Sequence, residues 1–303
     1  MDQQPPIMCA VDLSWRSQGA LNHAIALAQA RRAPLDVLFA VSNRRPFGWR
    51  IRERVGQLAE LRQRVAAAGI DMTLTVHHGT PADVILQHAT SSSLSPQLLV
   101  LGAPTRRGFD RFRAPSVARA VVHQIDRPTL VVPHSELVTS SVKVPFRRVL
   151  CAIDFPPASL SALDEAYRIV RLEGATMRLL HVVDIAQSAV PRLALEFPAA
   201  DYTEDLRNEA WSQLRRLLPL SQALHGRVHL QVAVGLVQDQ IARVANEFDA
   251  DLVVLGVSRR GRLARLLHST TGDALRHLHR PVLAVPVRRH ESREAADLHP
   301  IAA

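Results

Sequence analysis

Residues 7–12 (IMCAVD) return as residues 149–154 (VLCAID), and each string is a short apolar run that ends in an aspartate. Three further strings recur in the same order: LDVLFAV at 35–41 and MRLLHVV at 177–183, QLLVLG at 97–102 and DLVVLG at 251–256, and RPTLVVP at 127–133 and RPVLAVP at 280–286. The first two pairs are separated by 142 residues, the third by 154 and the fourth by 153. Two copies of one unit, with an insertion inside the second, account for this order.

Length and composition fit two globular domains. The chain has 303 residues, of which 47% are hydrophobic and 21% charged, and about 150 residues suffice for a domain with its own core. We therefore expect a first domain over residues 1–133, a linker over 134–146, a second domain over 147–287 and a disordered tail over 288–303. The extra residues of the second copy lie near 186–200, between its second strand and its second helix.

Each copy alternates strand and helix. In the first copy the apolar runs predict strands near 7–12, 35–41, 71–77, 98–101 and 129–132. Helices are expected from a cap at Ser14 or Ser17, over 50–68, from Pro81 and over 116–125. The second helix carries one apolar stripe: Ile51, Val55, Leu58, Leu61 and Val65. Because the strands are continuous runs of Val, Ile and Leu, they are typical of buried parallel strands. The pattern predicts an α/β protein with two tandem, doubly wound, parallel five-stranded sheets.

In such sheets the ligand crevice lies beyond the carboxyl ends of the strands, where the strand order reverses. The residues expected at that edge are Asp12, Val41 and Gly102 in the first copy, and Asp154, Val183 and Gly256 in the second. These residues are the first candidates for a binding site.

Three of these strings together resemble the universal stress protein family: Val-Asp closing the first strand, Leu-Val-Leu-Gly before an Arg/Gly loop, and the final Arg-Pro-Val-Leu-x-Val-Pro strand. The chain is similar to the tandem form of that family over about 7–133 and 148–287. The resemblance implies the strand order 3-2-1-4-5 of the adenine-nucleotide alpha-hydrolase-like fold. It also implies ATP binding in some members and not in others, and dimer contacts through the last strand.

ATP-binding members of the family carry Gly-x-x-Gly-x9-Gly-Ser/Thr after the fourth strand. Glycines let the backbone approach phosphate oxygens, and N–H groups and a hydroxyl at the next helix N-terminus donate to them. The matching positions are Gly102, Thr105, Pro115 and Ser116 in the first copy, and Gly256, Arg259, Ser269 and Thr270 in the second. Both copies keep the first glycine and the final hydroxyl, and both lose the other two glycines.

The second copy is the better candidate for a nucleotide. Pro115 removes a backbone N–H from the first copy, whereas Arg259 and Arg260, followed by Gly261, offer charge-assisted bonds to phosphate. The expected ligand is ATP or AMP, with Mg²⁺ if it is ATP. The alternatives are that Arg259 is a solvated loop residue, or that its side chain fills the phosphate position.

Two roles are open for Asp12 and Asp154. The resemblance implies that this aspartate contacts the adenine and ribose end of the ligand, while Val41 or Val183 lines the base pocket. Alternatively, a short acidic side chain at a strand end caps the following loop and helix through backbone N–H groups. Both roles are compatible with the sequence.

Charge and cysteine content bear on location and partners. The net charge is +9, almost all of the cationic residues are arginine, and Lys143 is the only lysine. Because the charge is spread over both copies, a solvated surface is favoured over a nucleic-acid site. The chain has no apolar run of bilayer length and no signal-peptide pattern, so a cytoplasmic location is expected. Cys9 and Cys151 occupy the same strand position and are expected to be buried, inert thiols.

The sequence contains no catalytic motif that we recognise: the loops after residues 12 and 154 match no nucleotidyl-transfer motif, and no Gly-x-Ser-x-Gly or His-Glu-x-x-His occurs. We expect a regulatory protein, not an enzyme, that binds a nucleotide and signals to a protein partner. The alternative is an interaction module with two degenerate pockets. The last strands, 129–132 and 282–285, are apolar and bracketed by proline, and we expect them to pair with each other. A homodimer of whole chains is a further option.

Overall fold

The computed structural model describes residues 4–14, 17–41, 51–91, 95–103, 117–133, 142, 144–155, 157–184, 199–218, 226–257 and 280–287. The main division of the chain falls between Pro145 and Phe146. We call the part before this division unit 1 and the part after it unit 2.

Both units alternate strand and helix, as the repeated apolar runs predict. Unit 1 contains β1 (Ile7–Val11), α1 (Gln18–Arg31), β2 (Leu35–Val41), α2 (Ile51–Ala67), β3 (Met72–His78), α3 (Pro81–Ser91), β4 (Leu98–Gly102), α4 (Val117–Gln124) and β5 (Thr129–Val132). Unit 2 contains β6 (Arg148–Ile153), α5 (Pro157–Glu173), β7 (Thr176–Val183), α6 (Ala199–Arg216), β8 (Val228–Val234), α7 (Val237–Glu247), β9 (Leu252–Val257) and β10 (Val282–Pro286).

The strand order is the same in both units. In unit 1, β1 lies between β2 and β4, with Ile7 opposite Leu35 on one side and Leu98 on the other. The full order is β3-β2-β1-β4-β5 in unit 1 and β8-β7-β6-β9-β10 in unit 2. Strand β6 pairs in parallel with β7 and β9, and β7 pairs in parallel with β8. The predicted parallel α/β fold with the order 3-2-1-4-5 is confirmed.

The central strands form the core of each unit. Ile7, Met8 and Cys9 are fully buried in β1, and Cys151 is fully buried at the matching position of β6. Both cysteines are free thiols. Burial raises the pKa of Cys9 to about 12 and raises the pKa of Cys151 as well. Because the thiolate is the reactive form, both residues are inert core side chains, as expected.

Two local predictions hold only in part. Ser17 is the N-cap residue of α1, one of the two expected positions, but its side chain makes no cap bond because its hydroxyl donates to the Ser14 carbonyl at 3.0 Å. The apolar stripe of α2 is also incomplete, since Leu61 and Val65 are buried whereas Val55 is 59% exposed. Helix α2 contacts β3, which is the outermost strand of unit 1 in the strand order and is itself largely exposed. An outer strand gives a helix less surface to cover.

Candidate functional site

The structure brings the described candidates to the carboxyl edge of each unit. Val11 lies opposite Phe39 and Ala10 lies opposite Leu101, so Asp12 follows the end of β1 beside the ends of β2 and β4. Val41 and Gly102 are the last residues of those two strands. The first copy therefore places these three candidates along one rim.

Unit 2 repeats the arrangement. Ile153 lies opposite His181, so Asp154 leaves β6 next to the last two residues of β7, the final one being Val183. Gly256 follows Leu255, which lies opposite Ala152 on the other side of β6. Val183 and Gly256 are buried, and Asp154 is half-buried between their strands. This edge is the candidate site of unit 2.

The remaining candidates lie outside the described residues. They are Ser116 of the first copy and Arg259, Arg260, Gly261, Ser269 and Thr270 of the second, together with the loop positions Thr105 and Pro115. The predictions made for the phosphate end of the site therefore stay predictions.

The carboxylate of Asp12 is held by its own loop. Its Oδ1 accepts hydrogen bonds from the Ser14 backbone N–H at 2.9 Å and from the Ser14 hydroxyl at 2.6 Å. Asp12 is exposed to solvent. The predicted role as a loop cap is confirmed for this residue, and its carboxylate already has two donors and free access to water.

Asp154 has a different environment. Its backbone N–H donates to the Ser159 hydroxyl oxygen at 3.4 Å, and Ser159 is buried. Burial raises the pKa of Asp154, and hydrogen bonding from Ser159 and from its own backbone offsets only part of that rise. The residue that matches Ser14 in the repeat is Pro156, which has no N–H and no hydroxyl to donate. The ionised form of Asp154 is therefore poorly solvated.

Each rim also contains one glycine that the sequence analysis missed, Gly79 in unit 1 and Gly235 in unit 2. The Gly79 N–H donates to the Val41 carbonyl and the Gly235 N–H donates to the Val183 carbonyl, both at 3.0 Å. Both glycines have positive φ, 150° and 138°, which favours glycine. They follow the third strand of each copy, 156 residues apart. This spacing was a signal available in the sequence.

His181 is a further residue that sequence reasoning missed. It lies on β7 next to Ile153, and its Nδ1 is 2.9 Å from the Ile153 carbonyl oxygen. Burial lowers the pKa of His181, and the hydrogen bond to Ile153 offsets part of this effect. The matching position in the first copy is Phe39, so the offset of 142 residues could have indicated a difference between the two sites.

No group of three or more His, Cys, Asp or Glu side chains in the described ranges could hold a metal ion. No helix in the same ranges is both long and apolar enough to cross a bilayer.

Comparison with known proteins matches both halves of the chain to one family. The family model for universal stress proteins matches residues 5–133 and again residues 145–286. Universal stress protein G of Shigella flexneri is 29% identical over 146 residues, which cover 46% of this chain and 99% of that protein. A universal stress protein of Mycobacterium tuberculosis is 33% identical over 138 residues, which cover 43% of this chain and 44% of that protein.

A solved structure supports the same fold over nearly the whole chain. The crystal structure of a universal stress protein from Archaeoglobus fulgidus aligns with a TM-score of 0.68 and 18% identity, covering 95% of this chain and 98% of that one. At this identity the likeness concerns the fold alone. Because the family model matches nearly all of both units, the chain belongs to the universal stress protein family and carries two copies of the family domain.

Proposed function

We propose that this protein is a stress-response regulator that binds ATP or AMP in unit 2, with Mg²⁺ accompanying ATP, and that it is not an enzyme. The ligand-holding residues would be Asp154, Val183 and Gly256 at the base and ribose end, with Arg259, Arg260, Gly261, Ser269 and Thr270 at the phosphate end. The matching rim of unit 1, formed by Asp12, Val41, Gly102 and Ser116, would bind weakly or not at all.

The contrast between the two aspartates carries the proposal. Asp12 is exposed and accepts two hydrogen bonds from Ser14. Asp154 is half-buried with a raised pKa, so its carboxylate gains more from an added donor than Asp12 does. An amino or hydroxyl group of a nucleoside would provide such a donor, and hydrogen bonds to a charged acceptor are about twice as strong as neutral ones.

The proposed output is a contact with a protein partner in the cytoplasm.

The side chains of both last strands are buried, from Thr129 to Val132 and from Val282 to Val285. Short, apolar last strands support the proposal that residues 129–132 and 282–285 pair with each other. A homodimer of whole chains would extend the same assembly.

The test is a titration of the nucleotide-free full-length protein with ATP and Mg²⁺, and separately with AMP, followed by thermal unfolding. A ligand at a hundredfold excess over its dissociation constant raises the free energy of unfolding by about 2.7 kcal/mol, so the melting temperature should rise. Mass spectrometry of the protein as purified should also detect bound ATP or AMP.

One outcome would reject this function. If neither nucleotide at millimolar concentration moves the melting temperature and none co-purifies, the alternative of a nucleotide-independent interaction module replaces it. A GTP titration serves as the control, because a shift of equal size with GTP would show phosphate binding without adenine recognition.

A further inference from the structure

We propose that His181 is a positioning residue that holds Asp154 at the rim of unit 2 through its two chain neighbours, whereas in unit 1 Ser14 holds Asp12 by direct hydrogen bonds. The expected effect of His181 on nucleotide affinity rests on the proposed function. The effect of His181 on the position of Asp154 concerns the protein without ligand and is tested separately. The proposal is carried by two contacts of His181, one to each chain neighbour of Asp154.

The first contact fixes the point at which the chain leaves the sheet. His181 Nδ1 lies 2.9 Å from the carbonyl oxygen of Ile153, the last residue of β6. A carbonyl oxygen only accepts, so we infer that the neutral ring carries its proton on Nδ1. Ile153 is buried, and a buried carbonyl that loses its donor is unfavourable.

The second contact fixes the residue after Asp154. The ring centroids of His181 and Phe155 are 4.6 Å apart, with the ring planes inclined by 39°. Phe155 has a φ of 69°, which a bulky residue adopts only when its surroundings hold it there. Packing against His181 is one such restraint. With both neighbours held, Asp154 has little freedom to turn toward solvent.

Unit 1 holds its aspartate, Asp12, through different contacts. Leu13, which matches Phe155, also has a positive φ of 58°, so the turn is the same. Phe39 stands where unit 2 has His181, and a phenylalanine side chain cannot donate to the carbonyl of Val11. The Asp12 loop is instead closed by the two bonds from Ser14. The histidine and the half-buried aspartate therefore occur together, in unit 2.

The groups near His181 also account for its charge state. Asp154 is the acidic residue between Ile153 and Phe155, the two residues that His181 contacts. The neighbour of His181 on β8 is the apolar Val232, and α5 contributes the hydroxyl of Ser159 next to Asp154. Burial lowers the pKa of His181, which favours the neutral ring that donates from Nδ1. The same burial raises the pKa of Asp154.

The experiment compares the wild-type full-length protein with His181→Phe, which keeps a ring against Phe155 but loses the donor, and His181→Asn, which keeps a donor for Ile153. Carbon-13 NMR of the Asp154 carboxyl follows its titration without ligand. In His181→Phe we expect the carboxyl pKa to fall toward its ordinary value and the Asp154 and Phe155 amides to exchange faster. In His181→Asn both changes should be smaller. Phe39→Leu in unit 1 is the control and should leave Asp154 unchanged.

Nitrogen-15 NMR of the wild-type ring should show the proton on Nδ1. If Nε2 carries it instead, or if His181→Phe leaves the Asp154 titration and amide exchange unchanged, the proposal is wrong. Nucleotide affinity should fall about three- to tenfold in His181→Phe, the effect of losing one hydrogen bond. If the wild-type protein binds no nucleotide, the proposed function fails, while the ligand-free titration still decides the role of His181.

Discussion

At the residue scale, the two units differ in the contact between their second strand and the helix that follows their third strand, α3 in unit 1 and α7 in unit 2. In unit 1, the Nε2 of His88 on α3 lies 2.8 Å from Oδ2 of Asp36 on β2, and Asp36 is only 8% exposed. Within the described part of the chain, Oδ1 of Asp36 has no hydrogen-bond partner. In the repeat these positions are Arg178 and Val244, and Arg178 lies over the Phe248 ring at 4.6 Å. Both members of the pair therefore differ between the two copies.

His88→Leu should destabilise unit 1 while leaving unit 2 unaffected. The substitution leaves the buried carboxylate of Asp36 with no partner in this contact, and an unsatisfied buried polar group costs about 1–3 kcal/mol. Hydrogen exchange measures the effect, because the amides of β2 and α3 report on unit 1 alone and those of β7 and α7 on unit 2.

The double variant Asp36→Leu/His88→Leu is the control for that prediction. Replacing both members of a buried polar pair by apolar groups is often close to neutral, so it should recover most of the stability lost in His88→Leu. If the single variant exchanges like the wild type, the pair contributes nothing to stability and this reading of it is wrong.

At the element scale, the turns after β3 and β8 have matching geometry but different neighbours. Gly79 and Gly235 both donate to the last carbonyl of the adjacent strand, at Val41 and Val183. A Cβ on Gly79 would lie 2.8 Å from Cγ2 of the buried Val84, whereas a Cβ on Gly235 would lie 2.9 Å from Nε2 of Gln240. The amide end of Gln240 can move aside, and a buried β-branched side chain cannot do so easily.

We therefore expect Gly79→Ala to be more destabilising than Gly235→Ala. Both variants place a side chain at a positive φ, which costs about 1–3 kcal/mol, and Gly79→Ala adds a clash in a packed core that costs about 1 kcal/mol or more. Hydrogen exchange in α3 and α7 gives the two free energies in separate units. An equal loss in both variants would contradict the account of the Val84 contact.

The elements also show how far sequence reasoning reached. Continuous apolar runs predicted strands β1, β2, β4 and β5 to within a residue, because a parallel buried strand has a simple local pattern. The exposed Val55 was not predicted, because periodicity gives the apolar face of α2 but not the amount of sheet beneath it. The contacts of His88 and His181 join residues 52 and 28 positions apart. No local pattern contains them, so they became visible only in the structure.

The candidate site was predicted in position but not in character. Asp12 and Asp154 end matching strands, and one of the differences between the loops that follow them is the residue two positions later, Ser14 or Pro156. That difference decides which carboxylate is held by its own loop. The burial of Asp154 depends on Ser159 and the surrounding strands, and the sequence alone does not show how these residues lie around the carboxylate.

At the scale of the whole molecule, the protein contains two units with one strand order and two different rims. Both halves match the universal stress protein family. A duplicated domain lets one copy lose a function that the other keeps. The loss of a backbone donor at Pro115 and the Ser14 contacts of Asp12 both concern the first copy. The central claim is therefore the proposal that unit 2 holds the nucleotide site and that unit 1 binds weakly or not at all.

Isothermal titration calorimetry of the nucleotide-free full-length chain tests that claim most directly. With ATP and Mg²⁺ or with AMP, we expect one nucleotide per chain, an affinity at least about tenfold weaker in Asp154→Asn, and an affinity within about twofold of wild type in Asp12→Asn. Two equivalent sites per chain, or an affinity that depends on Asp12 and not on Asp154, would contradict the account.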